Sequence, residues 1–406
     1  MEETDTIGAR LRFLRRCRGM TQVQLAGLVG LSPSAISMME SGQLALDRRS
    51  RISALAAALR VSEADLVGTP PHTGTDAQQS GPHVCVPALR IALLTNSLTR
   101  PAAGRARPAA ELAAAAREAA RLHRRCDFTA EGLLLPGLLD ELHYAAAAGP
   151  GEDERKLALV TLVEACTTAA FMAKELGYPD LAHVAALRAE EAAGVLGDPV
   201  AQGKATFLRF HTAPRELEAW ERSRTAAEQA AAALESHAGT APAACVAGVL
   251  TLSAALASAV LQDETAAAHW LSEAAALADR VPDDMDGNWQ SFGATNVALW
   301  RTAVAIERGE DGGRILALAG AVNQRKLTAG SRRADFLADV GRGLARDTKT
   351  RPQAMQWLRR AEDAGPQRIR NSPAARDAVA FLLQRARSDA AGRELRGMAA
   401  RMGIAR

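Results

Sequence analysis

At 406 residues the chain is long enough for two or three packed units. Its apolar residues reach 48% while aromatics are only 4%, which favours close-packed helices and argues against sheets rich in Val, Ile and Tyr. The net charge of +3 is unevenly placed: residues 1–60 hold nine Arg, no Lys and five acidic residues, against 40 basic and 41 acidic in the rest, so the positive excess is N-terminal, where a polyanion would be met. The five cysteines, Cys17, Cys85, Cys126, Cys166 and Cys245, are scattered without CxxC or His at ligand spacing, the pattern of packed, reduced thiols in a cytoplasmic protein. The charged N-terminus carries no apolar signal-peptide run.

Residues 5–67 read as short helices with sharp stops. Ile7, Leu11 and Leu14 mark one face of a first helix. Thr21-Gln22-Val23-Gln24 has the form of a capping box and opens a helix that stops at Gly30, a residue able to take a left-handed turn. Ser32 then caps a second helix with Pro33 at its first position, where the missing N–H costs nothing. Leu25, Ala26, Val29, Leu31, Ile36 and Met39 form the apolar seam between the two, which makes the pair a helix-turn-helix. Ile52, Leu55, Leu59, Val61 and Leu66 close the small core, with a second capping box at Ser62–Asp65.

Residues 68–87 hold four Pro and three Gly with little apolar content, the mark of a flexible linker. From Ala88 helical periodicity persists, broken at Gly149-Pro150-Gly151, Gly177-Tyr178-Pro179, Gly197-Asp198-Pro199, Val281-Pro282 and Gly365-Pro366. Successive hairpins begin near Glu152, Pro199, Ala241, Trp289 and Arg332, steps of 42 to 48 residues, longer than the ~34-residue tetratricopeptide period. Ala241–Leu261 is uncharged and long enough to span a membrane, but its alanine-rich composition favours a buried solenoid helix. Ser372 reads as a cap with Pro373 behind it, and His143, His183, His211 and His269 as isolated, partly buried helix residues.

The run Met20 to Gly42, followed by Leu55 to Ser62, resembles the lambda-repressor and Cro-like helix-turn-helix family, also called the xenobiotic-response-element family, and the whole layout resembles actinobacterial regulators that add a tetratricopeptide-like domain. The resemblance implies an all-α chain: a five-helix DNA-binding domain over residues 1–67, a linker over 68–87 and a degenerate tetratricopeptide-like solenoid over 88–406. It implies a cytoplasmic, homodimeric transcriptional regulator of double-stranded DNA, off the membrane, whose solenoid binds a peptide, small molecule or partner. Ser32–Ser41 would enter the major groove. Carried onto these positions, Thr21 and Gln22 start the second helix, with Gln22 at a phosphate; Ser32 caps the third; Pro33, Ser34, Ser37 and Met38 face base edges; Gln43, Arg48, Arg49 and Arg51 lie near the backbone. Where relatives often carry Gln, Asn or Arg this chain has Ser, Ala and Met, so specificity is expected to lean on DNA shape and paired half-sites.

Trp289, Phe292, Asn296 and Trp300 recur at i, i+3, i+7 and i+11, with Arg301 following, a stripe on one helix with two readings: ordinary packing of the rings between repeats, or a ligand site with an amide to clamp a peptide backbone and rings to line pockets. No phosphate loop, dinucleotide fingerprint, HExxH or nucleophile elbow occurs, so no catalytic residue, metal or cofactor is assigned and the chain is read as a non-enzyme. Two rivals stay open: a protein-interaction scaffold, and a ligand-independent dimeric repressor.

Overall fold

The computed structural model describes residues 6–68, 81–102, 104–214, 216–237, 239–385 and 390–404, and among them every regular element is helical. The first five helices are α1 (Ile7–Cys17), α2 (Gln22–Leu28), α3 (Pro33–Glu40), α4 (Arg49–Leu59) and α5 (Glu63–Val67). Each start follows from its cap. Thr6, Thr21, Ser32 and Ser62 accept from the backbone N–H three residues on, and the Thr21–Gln24 and Ser62–Asp65 capping boxes are both closed. Gly30 takes φ +65°, the left-handed conformation that turns α2 into α3. Ile7, Leu11, Leu25, Ala26, Ile36, Met39, Leu55, Leu59 and Leu66 form the buried core of this unit.

Part of the stretch expected as a flexible linker is regular structure. Residues 69–80 lie outside the described residues, but Gly81–Cys85 is a 3-10 turn and Val86–Thr95 (α6) is a helix, with Pro82, Cys85 and Val86 buried. Among the described residues, apolar packing is therefore already present at residues 82–86, a few positions before the periodicity becomes visible.

The body continues as α7 (Ala109–Arg124), α8 (Phe128–Ala148), α9 (Glu152–Glu175), α10 (Pro179–Leu196), α11 (Pro199–Thr212), α12 (Leu217–Ala233), α13 (Ala241–Val260) and α14 (Glu264–Ala278). It ends with α15 (Ala294–Arg308), α16 (Gly312–Ala321), α17 (Gly330–Arg346), α18 (Arg351–Ala364), α19 (Pro366–Asn371), α20 (Pro373–Leu383) and α21 (Ala390–Arg401). Most helices of the body pack chiefly on a neighbour in sequence, α9 on α10, α13 on α14 and α17 on α18 most extensively, while α6 packs on α8, α7 on α9 and α15 on α13, which is the pattern of stacked helix pairs. Ser372 caps α20 with Pro373 at its first position.

Helix α13 is the uncharged segment, and residues 243–260 are all buried by its neighbours, so it is a core helix. Its Gly248 has a structural cause: the Phe292 ring lies where a side chain would stand, 1.9 Å from an ideal Cβ.

The stack also curls until its ends meet. The His83 ring nitrogen Nε2 and Asn371 Oδ1 lie 3.1 Å apart, the Thr129 amide donates to Gln367 Oε1 at 3.2 Å, and Arg368 pairs with Glu175 at 3.0 Å. Helices α7 and α17 touch. The body is thus a closed turn of helix pairs, with the N-terminal unit seated on it through α4, which contacts α12.

Candidate nucleic-acid interface

Thr21, Ser32, Pro33, Ser34, Ser37, Met38 and Gln43 are exposed, and Gln22 is half-buried. The start of α3 holds no acidic residue, so its unpaired N–H groups and helix dipole face outward without a competing negative charge. Ser32 Oγ is committed, accepting from the Ala35 amide at 3.2 Å and lying 3.1 Å from Ser34 Oγ. The exposed chemistry along α3 is therefore two hydroxyls, at Ser34 and Ser37, beside the Pro33 ring and the Met38 thioether.

Behind that face lies a buried ion pair. Arg15 of α1 holds Glu40 at the end of α3 through two hydrogen bonds, one of 3.0 Å, and Gln22 Nε2 donates to the same carboxylate at 2.9 Å. Burial alone would raise Glu40, but the bonds from Arg15 and Gln22 outweigh it and hold the carboxyl below its ordinary range. Gln22 is thus oriented from inside the domain. Arg10 and Arg18 tie α1 to the far end of the unit through the carbonyls of Leu66 and Leu59.

Two residues expected at the DNA backbone face the other way. Arg48 Nη1 donates to the Arg308 carbonyl at 3.3 Å, and Arg49 pairs with Glu307 at 3.3 Å, whose other oxygen accepts from the Ser50 amide at 3.1 Å. Asp47 pairs with Arg346, Arg385 donates to the Gly42 carbonyl at 2.6 Å, and Arg10 stands 3.9 Å from Asp377. The loop before α4 and the first turn of α4 form an interdomain seam: Arg48 is drawn to a carbonyl and Arg49 to a carboxylate on the body, and Arg51, half-exposed, has no ion pair among the described residues.

Between the two units lies a cavity of about 470 Å³. Its floor includes Leu46, Arg49, Ile52 and Val67 of the N-terminal unit; Phe171, Phe207, His211, Asn296 and Trp300 stand on the body's side, with Arg332, Arg342 and Arg368.

The expected aromatic stripe is broken here. Helix α15 begins at Ala294, so Trp289 and Phe292 precede it; Trp289 starts a 3-10 turn in which Gln290 and Ser291 take φ of 51° and 58°. Phe292 is fully buried against α13, and Trp289 packs away from the cavity, its Nε1 donating to Glu164 at 3.3 Å with Lys204 over its ring. Arg301 is exposed outside the cavity lining. Asn296 and Trp300 alone of that set line the cavity. The sequence did not point to Phe171, Phe207, His211 and Arg332 as site residues, because they come from three separate helices, α9, α11 and α17, that only the closed turn brings together.

The profile of the family described as "Helix-turn-helix domain" matches residues 6–67. No curated protein matches the chain. Among solved structures, the crystal structure of Bacillus thuringiensis PlcR in complex with the peptide PapR7 and DNA aligns at 11% identity over 78% of this chain and 92% of that chain, at a TM-score of 0.32. Residues 6–67, with their closed capping boxes and the left-handed turn at Gly30, are a helix-turn-helix domain.

Proposed function

We propose that this chain is a DNA-binding transcriptional regulator and not an enzyme, working in the cytoplasm, with α3 in the major groove and the helical body as its sensor. The observation that carries the reading is the outward placement of Pro33, Ser34, Ser37 and Met38 on a capped helix whose inner side is locked by Arg15 and Glu40. Thr21, Gln22, Ser32 and Gln43 flank that face as positioning contacts, and Arg51 is the remaining candidate for the phosphates next to α4. A single domain of this size covers little DNA, so the active species is a homodimer on paired half-sites.

The test is fluorescence anisotropy of the full chain on its best genomic site over a salt series, with Ser34→Glu beside it. A discrete site, affinity falling steeply with salt and at least a hundredfold loss in Ser34→Glu are the expected results, since the new carboxylate meets base edges and phosphates. Binding indifferent to sequence and to the substitution sinks the reading. A scaffold is then the better account, and one observation already favours it: Phe13, Val23 and Leu28 stand out from α1 and α2 at 54%, 65% and 63% exposure, apolar surface that a protein partner would cover.

A further inference from the structure

We propose that the cavity between the two units binds one small aromatic carboxylate that also carries an N–H donor, a class of which indole carboxylates are the simplest members. The inference deepens the sensor reading above and names the ligand class for it.

Three unmet needs in one place carry the argument. Asn296 is 1% exposed, and its Nδ2 donates to the Gln290 carbonyl at 3.1 Å, which fixes which end of the amide is oxygen. That oxygen, Oδ1, is buried with no hydrogen-bond partner, so it calls for a donor. Arg332 Nη2 donates to the same Gln290 carbonyl at 3.0 Å and to Gln290 Oε1 at 2.8 Å, so its guanidinium and the Asn296 amide converge on one atom.

No carboxylate lies within ion-pair distance of Arg332 among the described residues, and burial already disfavours its charge. Arg368 extends the cationic side: its other nitrogens hold Asp335 and Glu175, while Nη1 is buried without a partner. Arg332, on which Asp335 and Glu175 act only from beyond ion-pair distance, is the cation that an anionic group in the cavity would pair.

Carboxylates, Asp335 and Glu175 among them, also line the cavity, and one part of its wall is aromatic. Phe207 and His211 stand 4.3 Å apart between centroids, with Phe171 and Trp300 each about 6 Å from His211, so these rings pack on one another and the cluster they form offers the cavity an aromatic surface for a further flat ring. The volume, about 470 Å³, is that of pockets enclosing a single small molecule. Gln290 and Ser291, in consecutive left-handed conformations that cost side chains strain, hold the shared carbonyl in position. Because Leu46, Ile52 and Val67 line the same cavity, an occupant touches both units and stabilises the seated arrangement by mass action.

Isothermal titration of the full chain with three probes tests this: indole-3-acetate, indole-3-acetamide, which keeps the N–H and loses the charge, and naphthalene-1-acetate, which keeps the charge and loses the N–H. The acetate of indole is expected to bind at least tenfold more tightly than either control. Asn296→Leu should erase the preference for indole over naphthalene, and Arg332→Gln the preference for acid over amide. Equal binding of the three probes, no binding by any, or retention of both preferences in correctly folded variants overturns the proposal. The comparison among probes on the wild-type chain stands even if a variant does not fold. The titration contains no DNA, so a chain that binds its DNA site but none of the probes overturns this site alone, and one that binds the indole acid but no DNA overturns the regulator reading alone.

Discussion

The two sides of the helix-turn-helix unit are built by different rules. The outward side, around α2 and α3, is local: each cap reaches three residues along the chain, and the Arg15–Glu40–Gln22 network spans no more than 25 positions. The inward side, around the loop before α4, is long-range: Arg48 and Arg49 meet Arg308 and Glu307, Asp47 meets Arg346, and Gly42 meets Arg385. Equal-looking arginines therefore carry different tasks according to which side they stand on. Charge at a helix-turn-helix is evidence of DNA contact only after its intramolecular partners are known.

Four measurements can break or sharpen that contrast. The largest effect is expected inside the outward side. Glu40→Ala leaves the nearly buried Arg15 without its carboxylate, with only the Met20 carbonyl to accept from it, and should lower the stability of the N-terminal unit by about 3 kcal/mol in urea unfolding; a loss below about 1 kcal/mol would mean the network does not brace α3.

On the inward side, Glu307→Ala strips a partner from both Arg49 and the Ser50 amide and should weaken seating by about 1–2 kcal/mol. Hydrogen exchange at α4 amides is the readout, with rates rising roughly 5- to 30-fold; unchanged rates would show that the seam does not hold.

Next comes a pair: if the regulator reading holds, Arg51→Ala should reduce the slope of log affinity against log salt by about one, and Arg48→Ala should leave it unchanged. Equal effects would erase the distinction between the two sides.

The smallest is a pH effect. Burial pushes the Asp377 carboxyl up to about 7, although Arg10, the Ile7 amide and Arg376 pull it down and Asp47 pushes with the burial. A carboxyl raised in the folded state contributes stability that is complete below its unfolded value and fades as pH climbs through about 7. The midpoint difference between wild type and Asp377→Asn should therefore change between pH 5.5 and pH 8, with the wild type relatively less stable at the higher pH; a constant difference would remove Asp377 from the seam's titration.

Much of the fold was legible because its signals are short-range. Thr21, Ser32, Ser62 and Ser372 each announce a helix start within three residues, and the absence of charge in α13 announces burial. Periodicity misled where the chain leaves the helix. Trp289, Phe292, Asn296 and Trp300 hold helical spacing in sequence, yet Gln290 and Ser291 turn left-handed between them and send Phe292 into the core. Nothing in their residue types requires positive φ; tertiary contacts impose it, through Asn296 and Arg332 on the Gln290 carbonyl. The cavity itself was illegible for the same reason, since Phe171, Phe207, His211, Asn296 and Arg332 share no local pattern and meet only through closure of the body.

That closure limits how the protein can vary over evolutionary time. An open solenoid grows by duplicating a repeat, because each unit needs only its neighbours. Here the first hairpins meet the last through His83 with Asn371 and Arg368 with Glu175, so one added or deleted helix pair would separate those partners and open the wall of the cavity. The number of repeats is consequently set by geometry, and length differences among descendants of this chain should fall in the turns between helices, leaving the count of pairs constant.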